Sequence, residues 1–289
     1  MKIIDGKKIA DKIKGNIVKQ TYQLASSASD RRPNLAIILV GERADSQLYV
    51  SLKEKEGVKL GIDTNLYKFP ADADPQALLE TIDFLNKDDM IDGILVQLPL
   101  PDKFDTDKIV QSIDPAKDAD GFHPRHPDYI VSPVIAAVTE ILQAIKFAKA
   151  GAKACVLCNS EIFGVGLRTI LEKSGIATDV ILVGDFSRLD KTASEYKWQE
   201  IKKASLVADI LITALGLPKF VSKEIVKPDA VVIDIGITRV GQQVFGDIDF
   251  DSVKEVAGFI TPVPGGVGPL TIALLFRNIL AMYEYRQSR

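Results

Sequence analysis

Cysteine, histidine and tryptophan are scarce in this chain, and each scarcity removes a class of chemistry. The 289 residues hold two cysteines, two histidines and one tryptophan. Cys155 and Cys158 form a C-x-x-C, but within A-C-V-L-C, the pattern of a buried strand. A zinc site would need two more ligands close by, and His123 and His126 lie far away in sequence, so no metal is expected. A redox pair would sit at a helix start with an exposed, low-pKa thiol, so the two cysteines read as core or loop residues. No apolar run reaches the roughly 18 residues of a membrane span. Neither sign of charge dominates: 36 Lys and Arg face 39 Asp and Glu, a net charge of −3. That balance leaves no electrostatic footprint for nucleic acid or an anionic membrane, and neither is expected as a partner. The start, M-K-I-I-D-G-K-K-I-A, has charges where a secretory leader needs an unbroken apolar core, so the expected location is cytoplasmic.

What the chain does have is length and alternation. With 46% hydrophobic and 26% charged residues it reads as globular, and 289 residues suffice for about two domains with separate cores. Strand-like and helix-like segments alternate throughout, which predicts an α/β fold with mainly parallel sheets. In the first half the pattern predicts a helix near Gly6 to Leu24, a strand at Leu35 to Val40, and a helix from about Asp45 to Leu60 closed by Gly61. A strand near Thr64 to Phe69, a helix at Pro75 to Asn86 and a strand at Gly93 to Pro99 follow. D-G-F-H-P, from Asp120 to Pro124, is loop by composition. From Val134 a long apolar helix carries the chain into a second domain.

That second domain has the order of a nucleotide-binding unit. A strand at Lys153 to Leu157 runs into C-N-S-E-I-F-G-V-G, then a helix to about Lys173, then the strand D-V-I-L-V-G followed by Asp185. Gly164 and Gly166 are expected to open the helix, so that its free N–H groups and dipole face a pyrophosphate. Asp185 falls 21 residues after Gly164, near where a carboxylate takes a ribose hydroxyl. The full G-x-G-x-x-G is absent, and such a unit can equally be plain scaffolding. Further strands, Ile210 to Gly216 and Ala230 to Gly236, each end in glycine on the edge where open parallel sheets hold ligands.

Polar residues of the first half stand out against their surroundings. Tyr49 and Lys53 are four apart and stack on one face of the expected helix, beside a stripe marked by Leu48 and Leu52 that is expected to be buried. The plainer reading is a snorkelling lysine in the charge-rich K-E-K-E run. Gln97 interrupts an apolar strand and would need hydrogen-bond partners if buried. Asp120 fits an Asx-turn as well as a site. T-P-V-P-G-G-V-G-P-L-T, from Thr261 to Thr271, packs three prolines and three glycines at the foot of an apolar helix. Its glycines would let a backbone approach a flat ligand, although a helix lead-in with Pro269 in the first turn explains the same letters.

Taken in order, S-x-x-Y-V-x-x-K-x-K, D-G-I-L-V-Q-L-P-L-P, D-A-D-G-F-H-P and I-T-P-V-P-G-G-V-G-P-L-T resemble the bifunctional methylenetetrahydrofolate dehydrogenase/cyclohydrolase family over essentially the whole chain. The resemblance implies two α/β domains with a cleft between them: a folate-binding catalytic domain of residues 1–133 plus 269–289, and a Rossmann-like dinucleotide-binding domain of residues 134–268. It implies oxidation of 5,10-methylenetetrahydrofolate with NAD or NADP and hydrolysis of the methenyl product to 10-formyltetrahydrofolate. Lys53 becomes the principal catalytic group and Gln97 its partner. Tyr49 would stack on the folate, and Asp120 would hold the pterin. Ser46, Leu98, Pro99, Pro262, Gly265, Gly266 and Pro269 would complete the substrate site. Cys158, Asn159, Ser160, Ile162, Gly164, Asp185, Ala214, Gly216, Gly236, Ile237 and Thr238 would line the cofactor site. Tetrahydrofolate derivatives are the implied partners, and the implied assembly is a homodimer.

The chain also departs from the family pattern, and the departures cluster. Cys158-Asn159-Ser160 stands where members carry G-R-S, so an arginine that would meet a 2′-phosphate is missing. Gly184-Asp185-Phe186-Ser187 replaces an H-S-x-T-like segment, bringing a carboxylate to the same place. Both changes favour NAD over NADP, although Arg188 offers a compensating charge. P-C-T-P is reduced to Ser132-Pro133, and Gly166 stands where a proline is expected. A chain with a decayed dinucleotide site, active as a cyclohydrolase alone or merely binding folate, is the alternative. An unrelated Rossmann dehydrogenase acting on a small acid fits the N-terminal motifs less well.

Overall fold

The structure, a computed structural model, describes residues 1–25, 31–123, 125–184, 191–241 and 243–288. The chain forms two compact α/β units, one of Ala10–Pro133 with Ile272–Arg289, the other of Met1–Ile9 with Val134–Thr271. Strand β1 (Lys2–Ile3) and helix α1 (Gly6–Ala25) open the chain. Strands β2 (Asn34–Val40), β3 (Asp63–Phe69) and β4 (Gly93–Val96) then build a parallel sheet in the order β3-β2-β4. Leu35, Ala36, Ile37 and Ile38 of the central strand are fully buried, as expected of a parallel strand covered on both faces.

Local chemistry sets where the helices of this three-stranded unit begin and end. Helix α2 (Ala44–Leu60) stops at Gly61, whose φ of 71° suits the left-handed cap and whose N–H returns to the helix carbonyls. Helix α3 (Pro75–Lys87) starts with Asp74 accepting from the Gln76 N–H and a proline in the first turn. Its Leu78, Ile82 and Leu85 pack on Ala36, Ile38 and Val40 of β2, each large side chain stabilising by roughly 1.5–3 kcal/mol. A short helix, α4 (Thr106–Gln111), capped by Asp105, was not anticipated.

Helix α5 (Pro133–Ala144) leads into the second sheet. There β5 (Lys153–Cys158), α6 (Glu161–Lys173), β6 (Ala177–Leu182), α7 (Lys191–Ser205), β7 (Ile210–Ala214) and β8 (Val231–Asp234) alternate. A hairpin of β9 (Thr238–Val240) and β10 (Gln243–Phe245), helix α8 (Phe250–Val253), β11 (Phe259–Ile260) and helix α9 (Val267–Gln287) complete the chain. The parallel sheet runs β1-β11-β8-β7-β5-β6, so the chain leaves β5 for one side and returns to the other at β7. The carboxyl ends of β5 and β7 therefore flank the point where the strand order reverses, the place such sheets receive ligands.

The unit boundaries differ from the sequence division. Met1–Ile9 belongs to the six-stranded unit because Lys2 and Ile3 pair with Phe259 and Ile260, which leaves residues 10–133 with the returning helix. Helix α9 returns to the three-stranded unit from Ile272 onward. Leu270, Ala273, Leu274, Ile279 and Leu280 are buried, as its apolar pattern requires. Gly93 makes room for it: a Cβ there would collide with Ile279 and come within 3.2 Å of Met282 Sδ. Among the described residues no helix is long and apolar enough to cross a membrane.

Candidate active site

Helix α2 turns an unusual face toward its own unit. Its buried residues are Ser46, Val50, Gly57 and Leu60, with Tyr49 and Lys53 half-buried among them. The stripe expected at Leu48 and Leu52 points the other way, and these side chains are 50% and 41% exposed. The inward face is built on small residues that let the helix approach β3, where a Cβ on Gly57 would lie 2.7 Å from Thr64 Cγ2. A search for leucines therefore picks the wrong side, while the Tyr49–Lys53 pairing still marks the right one.

Lys53 and Gln97 meet. Lys53 Nζ donates to Gln97 Oε1 at 2.8 Å, and Gln97 Nε2 donates to the Leu98 carbonyl at 2.8 Å, which orients the amide oxygen toward the amine. Strand β4 ends at Val96 rather than at Pro99. Gln97 N still bonds Ile38 O at 2.8 Å, and the Leu98–Pro99 peptide that follows is cis. Gln97 thus sits at the carboxyl end of β4 with its side chain turned to α2. Burial holds the Lys53 ammonium below the ordinary lysine range, with the Asp120 carboxylate pulling weakly the other way. Burial pushes Asp120 up to about 6, opposed by Lys53 and reinforced by Asp118. Tyr49 is raised by burial, then by Asp45. Among the described residues the buried Ser46 hydroxyl has no hydrogen-bond partner, a cost that a hydroxyl oriented for a ligand would recover.

Two residues not singled out in the sequence, Asp118 and Asn278, hold Asp120 in place. Asp118 is buried beside β4, with Ile94 N donating to Lys117 O at 2.7 Å and Ala119 N donating to Ile94 O at 3.1 Å. Its carboxylate accepts from His123 N at 2.6 Å and Asp120 N at 3.2 Å, drawing the turn around itself. Asn278 of α9 donates to Ala119 O at 3.1 Å and to Val131 O at 2.9 Å, pinning the same segment from the other side. A polar residue inside the apolar run L-L-F-R-N-I-L was the available signal for Asn278. The first aspartate of D-A-D-G was the signal for Asp118.

At the carboxyl edge of the six-stranded sheet the glycines do other jobs than expected. Helix α6 begins at Glu161, with Ser160 Oγ accepting from Phe163 N at 3.3 Å, so Gly164 lies inside its first turns. A Cβ on Gly164 would lie 2.5 Å from Val180 and 3.0 Å from Cys158 Sγ, and one on Gly166 would lie 2.9 Å from Ile135. Both serve close packing of the helix rather than opening it. Asn159 is engaged at both polar atoms: Nδ2 donates to Leu215 O at 2.8 Å and Oδ1 accepts from Gly184 N at 3.0 Å, tying together the loops after β5, β6 and β7. Asp185, with Phe186, Ser187 and Arg188, lies outside the described residues, as does Pro124. Cys155 and Cys158 are buried free thiols, and burial pushes Cys155 up to about 12, as inert core cysteines should be.

The same edge leaves open surface. Gly216 adopts φ of 70°, and among the described residues a Cβ there would meet only Thr238 Oγ1, at 4.0 Å. Ala214 is half-buried, and Ile162 and Ile237 present exposed apolar side chains. A floor of glycine backbone flanked by exposed isoleucines at the topological switch suits a flat, partly apolar dinucleotide. The glycine-proline segment belongs to this unit as far as Thr271, so Pro262, Gly265, Gly266 and Pro269 all lie in it. Gly265 has φ of 106°, while Gly266 is crowded by Pro262 O at 2.6 Å and carries the carbonyl that a Cβ on Gly6 would strike. Pro269 stands in the first turn of α9. Part of this composition is thus spent on packing against the start of α1.

Comparison with known proteins agrees with both halves. The catalytic domain of tetrahydrofolate dehydrogenase/cyclohydrolase matches residues 4–120, and the NAD(P)-binding domain of the same family matches residues 132–287. The chain belongs to this family. It is 38% identical over 294 residues to the bifunctional protein FolD of Nitratiruptor sp., with 99% of each chain covered. The crystal structure of the bifunctional FolD enzyme from Campylobacter jejuni superposes with a TM-score of 0.87 at 34% identity, covering 99% of both chains. The Trypanosoma brucei enzyme, solved with NADP and an inhibitor, gives 0.89 at 31%, covering 99% of this chain and 98% of that one. The activities are those of the family: methylenetetrahydrofolate dehydrogenase and methenyltetrahydrofolate cyclohydrolase in one-carbon folate metabolism. The second unit is accordingly an NAD(P)-binding domain and the first a catalytic one.

Proposed function

We propose that Lys53 is the group that moves protons in the cyclohydrolase reaction. The observation that carries this reading is the 2.8 Å bond from Lys53 Nζ to Gln97 Oε1 in a partly buried setting. A desolvated amine gives up its proton more easily than one in water, so a neutral fraction is available to take the proton of an attacking water. As the water oxygen bonds the methenyl carbon, its proton passes to the Lys53 nitrogen and the C=N electron pair returns to nitrogen. Lys53 then delivers that proton to N5 as the C–N5 bond breaks, the remaining hydroxyl proton leaves to solvent as the C=O forms, and the formyl group remains on N10. Gln97, anchored by its own bond to Leu98 O, keeps the amine aimed through both steps.

The remaining residues orient the substrate. Asp120, ionised at neutral pH, accepts from the N–H edge of the pterin, a charge-assisted contact. Tyr49 stacks on the ring, and the unpartnered Ser46 hydroxyl supplies a further hydrogen bond, beside Leu98 and Pro99. The dinucleotide is held at the carboxyl edge of the six-stranded sheet by the loops of Cys158 to Ser160, Ala214 to Gly216 and Gly236 to Thr238, with Ile162 and the segment of Pro262 to Pro269. When bound, its nicotinamide supplies the hydride acceptor. The protein's share in that step is orientation, because the two nitrogens flanking the methylene carbon stabilise the cation that is left.

NAD is the preferred cofactor in this reading. Both polar ends of Asn159 are occupied by backbone, so the position offers no cation to a 2′-phosphate. Asp185, from its place in the sequence, adds a carboxylate that accepts from a hydroxyl and repels a phosphate. The enzyme acts as a cytoplasmic homodimer, a reading supported by the family resemblance. Steady-state reduction of NAD and of NADP with methylenetetrahydrofolate, beside hydrolysis of the methenyl compound, tests the whole assignment. A higher kcat/KM with NAD is expected, and a higher value with NADP would overturn the preference. Full cyclohydrolase activity in Lys53→Met would overturn the role of the lysine.

A further inference from the structure

Two carboxylates in the NAD(P)-binding unit have no part in the chemistry above. Asp234 ends β8, Asp247 follows the β9–β10 hairpin, and their exposures are 3% and 0%. Asp247 accepts from Leu215 N at 2.6 Å and Leu217 N at 2.8 Å, one on each oxygen. Asp234 Oδ1 accepts from Thr213 Oγ1 at 3.2 Å, Gly236 N at 3.0 Å and Asp247 N at 3.2 Å, and Oδ2 from Ile248 N at 3.0 Å. The Asp234 N–H donates to Thr261 Oγ1 at 2.8 Å.

The two sites are built reciprocally. A Cβ on Gly236 would overlap the Asp247 carboxyl, and a Cβ on Gly246 would overlap Asp234 Oδ2. Each aspartate thus occupies the space left by the glycine near the other, in D-I-G (234–236) and G-D (246–247). Among the described residues neither carboxylate has a lysine, arginine or histidine as hydrogen-bond partner, and no cluster could hold a metal. The charged group that bears on Asp234 is Asp247, and what surrounds Asp247 is backbone N–H.

The donors say what the pair is for. Leu215, Leu217 and Gly236 lie just past the ends of β7 and β8, where the sheet no longer supplies acceptors and a buried N–H would go unpaired. Thr261 opens the glycine-proline segment. We propose that Asp234 and Asp247 are positioning residues for the dinucleotide, locking the loops after β7 and β8 and the start of the Thr261 segment into one arrangement before the cofactor arrives. This inference rests on the reading that those loops receive the cofactor. Preorganised loops lose little entropy on binding, so the pair acts on cofactor affinity. It leaves alone the Lys53 chemistry of the other unit.

The test uses the full chain and two substitutions, Asp247→Asn and Asp234→Asn. An asparagine at 247 keeps one acceptor and turns an N–H₂ toward a backbone N–H. The NAD dissociation constant from calorimetry is expected to rise at least about tenfold, and the Leu215 and Leu217 amides of the cofactor-free protein to exchange faster with deuterium. Hydrolysis of methenyltetrahydrofolate by the same sample is expected to stay within about twofold, which also certifies folding. Asp234→Asn, smaller in effect, is expected to remove the weakening of NAD binding that the parent protein shows as pH falls through 6, where protonation takes away an ionised acceptor. Unchanged NAD affinity in both folded variants would overturn the inference alone. Parallel loss of cyclohydrolase activity would overturn it in favour of general destabilisation. A parent protein that binds neither NAD nor NADP would remove the cofactor reading and this inference together.

Discussion

Buried carboxylates occur in both units of this enzyme, and the two regions use their buried polar groups for opposite ends. Around Lys53 the polar groups are left with capacity to spare: among the described residues the amine's hydrogen-bond partner is one amide oxygen, and the Ser46 hydroxyl has none. Around Asp234 and Asp247 the acceptor sites are taken by backbone N–H groups and a threonine. Burial alone therefore does not mark a catalytic group. Residual hydrogen-bonding capacity, directed at a place where a substrate can lie, separates a reacting site from a scaffold.

The comparison breaks most visibly at the lysine. Lys53→Met is expected to lower the cyclohydrolase kcat by roughly 10²–10⁴ while NAD binding by calorimetry stays unchanged, because proton transfer is lost and the six-stranded unit is untouched. A next, smaller effect concerns stability and pH. Burial and the field of Asp247 raise Asp234 to about 6, above its value in the unfolded chain. Between those two values the folded protein keeps a proton that the unfolded chain has released, so stability falls as pH rises through this window. The whole effect is on the order of 3 kcal/mol and is complete by pH 7. Urea unfolding at pH 5 and pH 7 is expected to show this slope in the parent and a flatter one in Asp234→Asn. An equal slope in both would place the burden elsewhere.

Gln97→Ala removes one hydrogen bond to a charged group, worth roughly 1.5–3 kcal/mol, and is expected to cost about 10- to 100-fold in cyclohydrolase kcat/KM. The smallest contrast is in pH dependence at the substrate. Asp120 is ionised above about 6, so kcat/KM for the methenyl compound is expected to climb through that pH in the parent. Asp120→Asn is expected to lose this limb, whereas Asp234→Asn keeps it. A limb that survives in Asp120→Asn would assign it to another group.

Much of this was legible in the residues themselves. Alternation of apolar strands and amphipathic helices gave the α/β class and most elements, because parallel strands buried on both faces read as runs such as L-A-I-I-L-V. Gln97 stood out as a polar letter in an apolar strand, whereas Lys53 read as well as a snorkelling lysine in a charged run and Asp120 as an Asx-turn, until the ordered motifs were taken together. What stayed hidden depends on distance in the chain. The pairing of Lys2 and Ile3 with Phe259 and Ile260 moves the first residues into the other unit, and two-residue strands carry no periodicity. Gly164 looked like part of a phosphate loop, yet its hydrogen faces Val180, a contact between elements that a motif cannot display. The inward face of α2 misled for a related reason, since close helix–sheet approach selects glycine and serine over leucine.

The account turns on the proton affinity of one amine. In protein labelled with ¹³C at the lysine side chains, the Lys53 signal can be identified by its absence in Lys53→Met and followed with pH. The account predicts a titration midpoint well below the ordinary lysine range, moving when Gln97 or Asp120 is replaced. A midpoint at or above that range, indifferent to both neighbours, would contradict it.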